Sequence, residues 1–248
     1  MQLIADLHTH TIASGHAYST LQENLDAARE NGLRYLATTE HGPSMPGSCH
    51  AIYFANFRAL PDQIAGVRLV KGIEANILNT AGELDLPEKY LKRLEYIAVG
   101  LHRDCMPPGS VEENTQAVLN ALQNPYVDTL VHPGNPRFPI DCRRVVQAAT
   151  DLGVMIEINN SSLLGSRKGS NPICAEIARL AASSGCTVVL GSDAHWSGHV
   201  GRLDLALQLA LEAGVPEAAI INLHAERMEA LLQRNAHRRQ GGPRIPIR

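Results

Sequence analysis

Short apolar runs alternate along the chain with stretches whose apolar residues recur at helical spacing. The runs cover residues 2–7, 35–39, 67–73, 96–101, 127–131, 154–158 and 187–190. Most are continuous rather than alternating, the pattern of parallel strands covered on both faces. Helix signals lie between them. Ser19 with Gln22 fits a capping box, and Asn31-Gly32 a stop. Asn171 is placed to cap a helix whose first position is Pro172. Leu203, Ala206, Leu207, Ala210 and Leu211 form one face of a late helix. Strand-helix alternation predicts parallel pairing through right-handed crossovers, and seven runs are enough for a barrel.

Two segments interrupt this rhythm: residues 79–85, with Gly82, read as a turn or small hairpin leaving the third strand, and 42–50 as a Gly/Pro/Ser loop. There is no internal repeat and no interdomain linker. Residues 1–235 are expected to form one α/β domain. Residues 236–248, with Arg238, Arg239, Arg244 and Arg248, are expected to be a basic, frayed tail.

At 248 residues, 44% hydrophobic and 19% charged, the composition excludes disordered and fibrous chains. No basic n-region with an apolar core opens the sequence, and no stretch approaches the roughly 18 apolar residues of a span, so a cytoplasmic protein without membrane contact is expected. The net charge of −3 provides no global field for nucleic acid. Any bound anion must be held locally. Five scattered cysteines without a C-x-x-C indicate neither a disulfide framework nor a thiolate zinc site. Histidine stands out: eleven, against three Phe and one Trp.

The first run ends in Asp6-Leu7-His8-Thr9-His10-Thr11. Residues two apart in a strand face the same way, so His8 and His10 present adjacent imidazoles with Asp6 beneath them. Later runs end in Glu40-His41, Glu74, His102, His132 and Asp193-Ala194-His195. In a parallel barrel those ends share one rim, which gathers distant residues around a single cavity and points to bound metal. His16, in the first strand-to-helix loop, can bend over the same rim. Arg167 and Lys168, in a Gly/Ser-rich loop, are either anion-binding or a solvated basic turn. His50, His199, His224 and His237 follow no strand-like run and are read as surface or packing residues.

The D-x-H-x-H-T start, Thr39-Glu40-His41-Gly42, residues 72–77, His102, His132-Pro133-Gly134 and residues 191–195 resemble the polymerase and histidinol phosphatase (PHP) family over most of the chain. Residues 16–20, 132–136, 157–162 and 166–170 look like its YcdX-type phosphatase branch. The resemblance implies a distorted seven-stranded (β/α) barrel with three metal ions, usually zinc. It places His8, His10, Glu74 and Asp193 on the first ion, Glu74, His102 and His132 on the second, and His16, His41 and His195 on the third. Glu40 departs from the family's usual Asp, which leaves its role in orienting His41 unsettled.

A nitrogen-rich donor set suits zinc, manganese or iron better than magnesium or calcium. Three divalent ions, less two carboxylates and a hydroxide, leave a local charge of about +3 that selects anions. Hydroxide held by Glu74, His102 and His132, with Asp193 and His195 in support, would attack a phosphate ester. The expected function is therefore a phosphatase on small phosphorylated metabolites. The alternatives are a PHP-type phosphodiesterase or exonuclease, although the absence of a basic stripe disfavours nucleic acid, and a non-catalytic metal-binding protein. Nine ligands for three ions leave positions for water, which favours catalysis. A homo-oligomer is compatible with the sequence.

Overall fold

The computed structural model describes residues 1–244. Its strands are β1 (Ala5–Asp6), β2 (Tyr35–Thr38), β3 (Gln63–Ile64), β4 (Val67–Asn76), β5 (Tyr96–Gly100), β6 (Thr129–Leu130), β7 (Met155–Asn159) and β8 (Val188–Gly191). Seven of them pair in parallel in the order β1-β2-β4-β5-β6-β7-β8. The exception, β3, pairs antiparallel with β4 and lies outside the predicted runs. β1 and β6 are shorter than their apolar runs, whereas β4 extends past its run to Asn76 and carries Glu74 within the sheet.

The helices are α1 (Leu21–Glu30), α2 (Ala51–Ala55), α3 (Glu88–Leu91), α4 (Val111–Leu122), α5 (Cys142–Leu152), α6 (Asn160–Leu163), α7 (Ser170–Ser184), α8 (Asp204–Glu212) and α9 (Ala225–Arg239). The outer faces of the strands pack on α4, α5 and α7 through residues such as Ile97, Val118, Val145 and Ile177. The inner faces form a second core, containing Tyr35, Val70, Tyr96, Met155 and Val189, and Met228, Leu231 and Leu232 of α9 join it. This inner face changes character along each strand. β4 runs Val70, Gly72, Glu74; β5 runs Tyr96, Ala98, Gly100; β7 runs Met155, Glu157, Asn159. Large apolar groups fill one end of the barrel, and acids and amides gather at the strands' carboxyl ends.

The barrel nearly closes between β1 and β8. At the rim, Thr9 bridges Ala194 in parallel, and the Asp193 N–H donates to the His8 carbonyl at 2.9 Å. Further down, the buried amide of Asn222 spans the seam. It accepts from the Leu190 N–H at 2.7 Å and donates to the carbonyls of Ala5 and Leu190 at 2.9 and 2.8 Å.

Several expectations shift at element ends. α1 begins one residue later than its sequence signal, with Thr20 and Glu23 as the reciprocal capping box. Ser19 and Gln22 do not form it, because the Ser19 hydroxyl instead accepts from the Ser197 N–H of the rim at 2.8 Å. α7 starts at Ser170 after a left-handed Gly169, so Asn171 and Pro172 lie in the first turn, where a missing N–H costs little. Leu203 precedes α8, and Leu211 is exposed rather than part of its apolar face. The 79–85 hairpin is present, with Ile77 bridging Leu84.

The basic segment from residue 236 onward is not loose over its first part. α9 continues to Arg239, and Arg234 and Arg238 both pair with the fully buried Asp128. Arg244 donates to the carbonyls of Leu122 and Asn124. The reason is electrostatic: a carboxylate buried at the closed end of the barrel needs cations. Residues 245–248, including Arg248, lie outside the described residues. No helix among the described residues is long and apolar enough to cross a membrane.

Candidate metal centre

Glu74, fully buried near the end of β4, is surrounded by imidazoles. Its Oε1 lies 2.7 Å from His132 Nε2 and 3.1 Å from His102 Nε2. Its Oε2 lies 2.9 Å from His41 Nδ1 and 3.3 Å from the Nε2 atoms of both His8 and His10. Asp193 closes one side, with Oδ1 3.6 Å from His8 Nε2 and 3.4 Å from His10 Nε2. The ring of His195 lies 4.4 Å from that of His10. These eight residues follow, or sit at the ends of, six strands, β1, β2, β4, β5, β6 and β8, so the parallel topology brings the set together.

Other side chains aim these rings. His8 Nδ1 is 2.7 Å from Glu157 Oε1, which turns Nε2 into the pit. Glu157 also accepts from the His132 N–H at 2.7 Å and from Asn159 Nδ2 at 3.1 Å. A Cβ at position 191 would overlap the Glu157 carboxylate, so only glycine leaves room for it. His10 Nδ1 is 3.2 Å from Ser14 Oγ, whose hydroxyl donates to Glu40 at 2.6 Å. Glu40 further accepts from the Thr11 N–H and hydroxyl and from Thr38, between 2.7 and 2.9 Å. The longer side chain thus suits its site, and it acts on His41 only indirectly, because the His41 N–H donates to Ser14 at 3.1 Å.

His132 and Asp193 both adopt positive φ, at 35° and 56°. Such conformations cost about 1 kcal/mol or more and persist where surrounding contacts enforce them. Here those contacts are the Glu157 carboxylate on His132 and the His8 carbonyl on Asp193.

The donors match a metal site. His41 Nδ1, Glu74 Oε2 and both ring nitrogens of His102 are buried without a hydrogen-bond partner, and His8 and His10 bring Nε2 atoms to 3.1 Å. Such crowding of lone pairs and a carboxylate calls for cations among them. Four groups of three residues place their donor atoms within 4.8 Å of one another: His10, His41 and His195; His8, Glu74 and His132; His8, His10 and Asp193; and His41, Glu74 and His102. Eight of the nine expected residues belong to these groups. His16 stands at the exposed edge, its ring 5.0 Å from that of His41 and 4.9 Å from that of His195.

Protonation equilibria favour the ligating forms of Glu74, Asp193, His10 and His132. Burial opposes charge on Glu74, but His41, His102 and His8 outweigh it and hold the carboxyl well below its ordinary range. Asp193 is likewise held low against burial by His8 and Arg167. Burial, with His41 and His195 alongside, keeps His10 well below the usual imidazole range, and burial and Arg167 depress His132 to about 4. His8 differs: burial acts against its cation, yet Glu157, Glu74 and Asp193 together raise it well above the usual value. Neutral imidazoles and ionised carboxylates are the states that bind divalent metal.

A cavity of about 610 Å³ opens from His102, Asp193 and His195 to the surface. Arg167 is fixed in its wall. Its Nη1 donates to Asp193 at 2.9 Å, Ser162 at 3.1 Å and Asn159 at 3.3 Å, while Nη2 and Nε make no hydrogen bond among the described residues. Lys168 lies exposed on the same wall. His199 also borders the cavity, edge-on to Trp196 at 5.4 Å. His50 caps α2, His224 lies 2.9 Å from the Glu217 carbonyl and His237 is exposed on α9.

Sequence reasoning overlooked Glu157 as a functional residue. A signal was present: an acid in the middle of an apolar run is buried with a partner far more often than by accident.

No family model matches the sequence. The chain is 47% identical over 243 residues to a probable phosphatase of Caldanaerobacter subterraneus subsp. tengcongensis, covering 98% of this chain and 96% of that protein. It is 45% identical over 238 residues to a probable phosphatase of Acetivibrio thermocellus, covering 96% and 98%. Among solved structures, the histidinol phosphate phosphatase of Lactococcus lactis subsp. lactis, complexed with zinc, L-histidinol and phosphate, shares the fold with a TM-score of 0.59. That match has 14% identity and covers 87% of this chain and 95% of the other.

Proposed function

We propose, from the premise that this chain belongs to the PHP-like phosphatases, that it hydrolyses phosphate monoesters of small metabolites at divalent ions gathered around Glu74. The observation that carries this reading is the buried Glu74 carboxylate with five imidazole nitrogens within 3.3 Å. His8, His10, Glu74 and Asp193 would hold one ion, Glu74, His102 and His132 a second, and His16, His41 and His195 a third. Zinc suits this nitrogen-rich set best, with manganese or iron as alternatives. When bound, such ions supply Lewis-acid polarisation of a phosphoryl group and acidify water to a pKa of about 7.

The chain's own residues do the rest. Glu74 would be shared by two of these ions and would lower the charge between them. Glu157 and the Glu40–Ser14 pair keep Nε2 of His8 and His10 turned inward. Arg167, anchored to Asp193 through Nη1, has Nη2 and Nε free to take phosphoryl oxygens. Lys168 adds charge at the mouth. Glu74, His102 and His132 would hold the ion that activates the attacking water, with Asp193 and His195 in support. The sequences at 16–20, 132–136, 157–162 and 166–170 support placement in the YcdX-like branch. Five free cysteines are compatible with the cytoplasm, where thiols stay reduced.

The test is hydrolysis of p-nitrophenyl phosphate by zinc-loaded protein before and after chelation. Activity should vanish with chelator, return with zinc, and fall by about 100-fold or more in His8→Ala and Asp193→Ala. Turnover that survives chelation or either substitution would contradict the reading.

A further inference from the structure

We infer that the natural substrate carries a second anionic group, a phosphate or carboxylate, seated against Arg103, Arg137 and Lys168; this rests on the phosphatase reading above. The three cations come from separate loops after β5, β6 and β7, which are neighbours in the sheet. They therefore occupy one arc of the rim, on the cavity that reaches His102, Asp193 and His195.

None of these charges is needed where it stands. Among the described residues, Arg137 and Lys168 have no carboxylate within 4.0 Å. Arg103 has only its chain neighbour Asp104, at 3.7 Å between side chains that are 62% and 49% exposed. Such a pair is weak and easily exchanged for a better partner. Arg167 differs, because its Nη1 is already committed to Asp193. The acids on the cavity lining are Asp104 and Asp193.

A cationic wall is not a general property of this surface, since the whole chain carries a net charge of −3. Like charges concentrated in a concave site raise the local potential and the local concentration of counter-ions. A neutral tail would leave the three cations without a partner, and an amine tail would be repelled. An anionic tail gains charge-assisted hydrogen bonds, and the rejection of other tails follows from the same groups. Leu101, Pro136 and Phe138 on the same lining give the carbon skeleton between the two anions an apolar wall.

The experiment compares kcat/KM on the zinc-loaded protein for a hexose bisphosphate, 3-phosphoglycerate, a hexose 6-phosphate, histidinol phosphate and p-nitrophenyl phosphate. The two doubly anionic substrates should exceed the hexose monophosphate by about tenfold or more, chiefly in KM, the scale of one charge-assisted hydrogen bond. The ratio should shrink with added salt. In Arg103→Ser/Arg137→Ser protein it should fall toward one. A preference for the bisphosphate alone would identify the tail as phosphate, and a preference for both as any compact anion. A ratio near one in the unmodified protein, a preference for histidinol phosphate, or a ratio unmoved in the double variant would overturn the inference. If p-nitrophenyl phosphate is hydrolysed while the ratio is flat, only the tail assignment falls. If no ester is hydrolysed, the phosphatase reading falls with it.

Discussion

Glu157 shows how much of this site depends on residues that need not touch a metal. Its carboxylate holds one ring nitrogen of His8, fixes the strained backbone of His132, and takes the space that a side chain at Gly191 would fill. Glu157→Gln keeps the shape but removes the charge that sets the His8 ring. Zinc affinity, measured by competition with a chromogenic chelator, should fall about 10- to 100-fold with the fold intact. Unchanged affinity would mean that His8 is positioned by packing alone. The ligand-type residues other than His16 were legible in the sequence because each lies at or just past the end of an apolar run. Glu157 was not, because it interrupts one. The role of Glu40 was also hidden, since the partners that make a longer side chain fit, Thr11, Ser14 and Thr38, meet it only in the folded barrel.

Two devices close the barrel, one at its seam and one at its closed end. Asn222 makes three hydrogen bonds across the gap between β1 and β8. Asn222→Ala would leave those buried groups unpaired and should cost about 3 kcal/mol in urea unfolding. A change below about 0.5 kcal/mol would show that the rim contacts alone hold the seam. At the other end, burial disfavours a charged Asp128, yet Arg238 and Arg234 outweigh it and hold its pKa below the ordinary value. Because the folded pKa lies below the unfolded value of about 3.9, the stabilisation is complete above that pH and is lost as pH falls through the folded value. Asp128→Asn should therefore cost about 3–5 kcal/mol at pH 7. The gap between the two proteins should narrow below about pH 4. A gap independent of pH would assign the effect to packing. Neither device could be read beforehand. The arginines of α9 look like tail charges until their partner, more than a hundred positions earlier, is placed beneath them. The shift of the first helix cap from Ser19 to Thr20 has a similar origin, because a long-range contact to Ser197 takes the serine.

Across the whole molecule, the alternation of apolar runs and helical spacing was sufficient to predict a parallel barrel with chemistry at its carboxyl-end rim. The structure adds how the interior is divided. Apolar side chains fill the end covered by α9, and acids and imidazoles fill the end that opens to the cavity. Under the proposed function, a chain of net negative charge could thereby act on anions, since bound ions and a few local cations would supply the attraction. The proposed function depends on metal occupying the space around Glu74. Anomalous diffraction at the zinc edge, from crystals of the zinc-loaded protein, tests this most directly. The account predicts peaks on both sides of the Glu74 carboxylate, within bonding distance of His8, His10, His41, His102 and His132. Saturating zinc with no peak in that pit would contradict it.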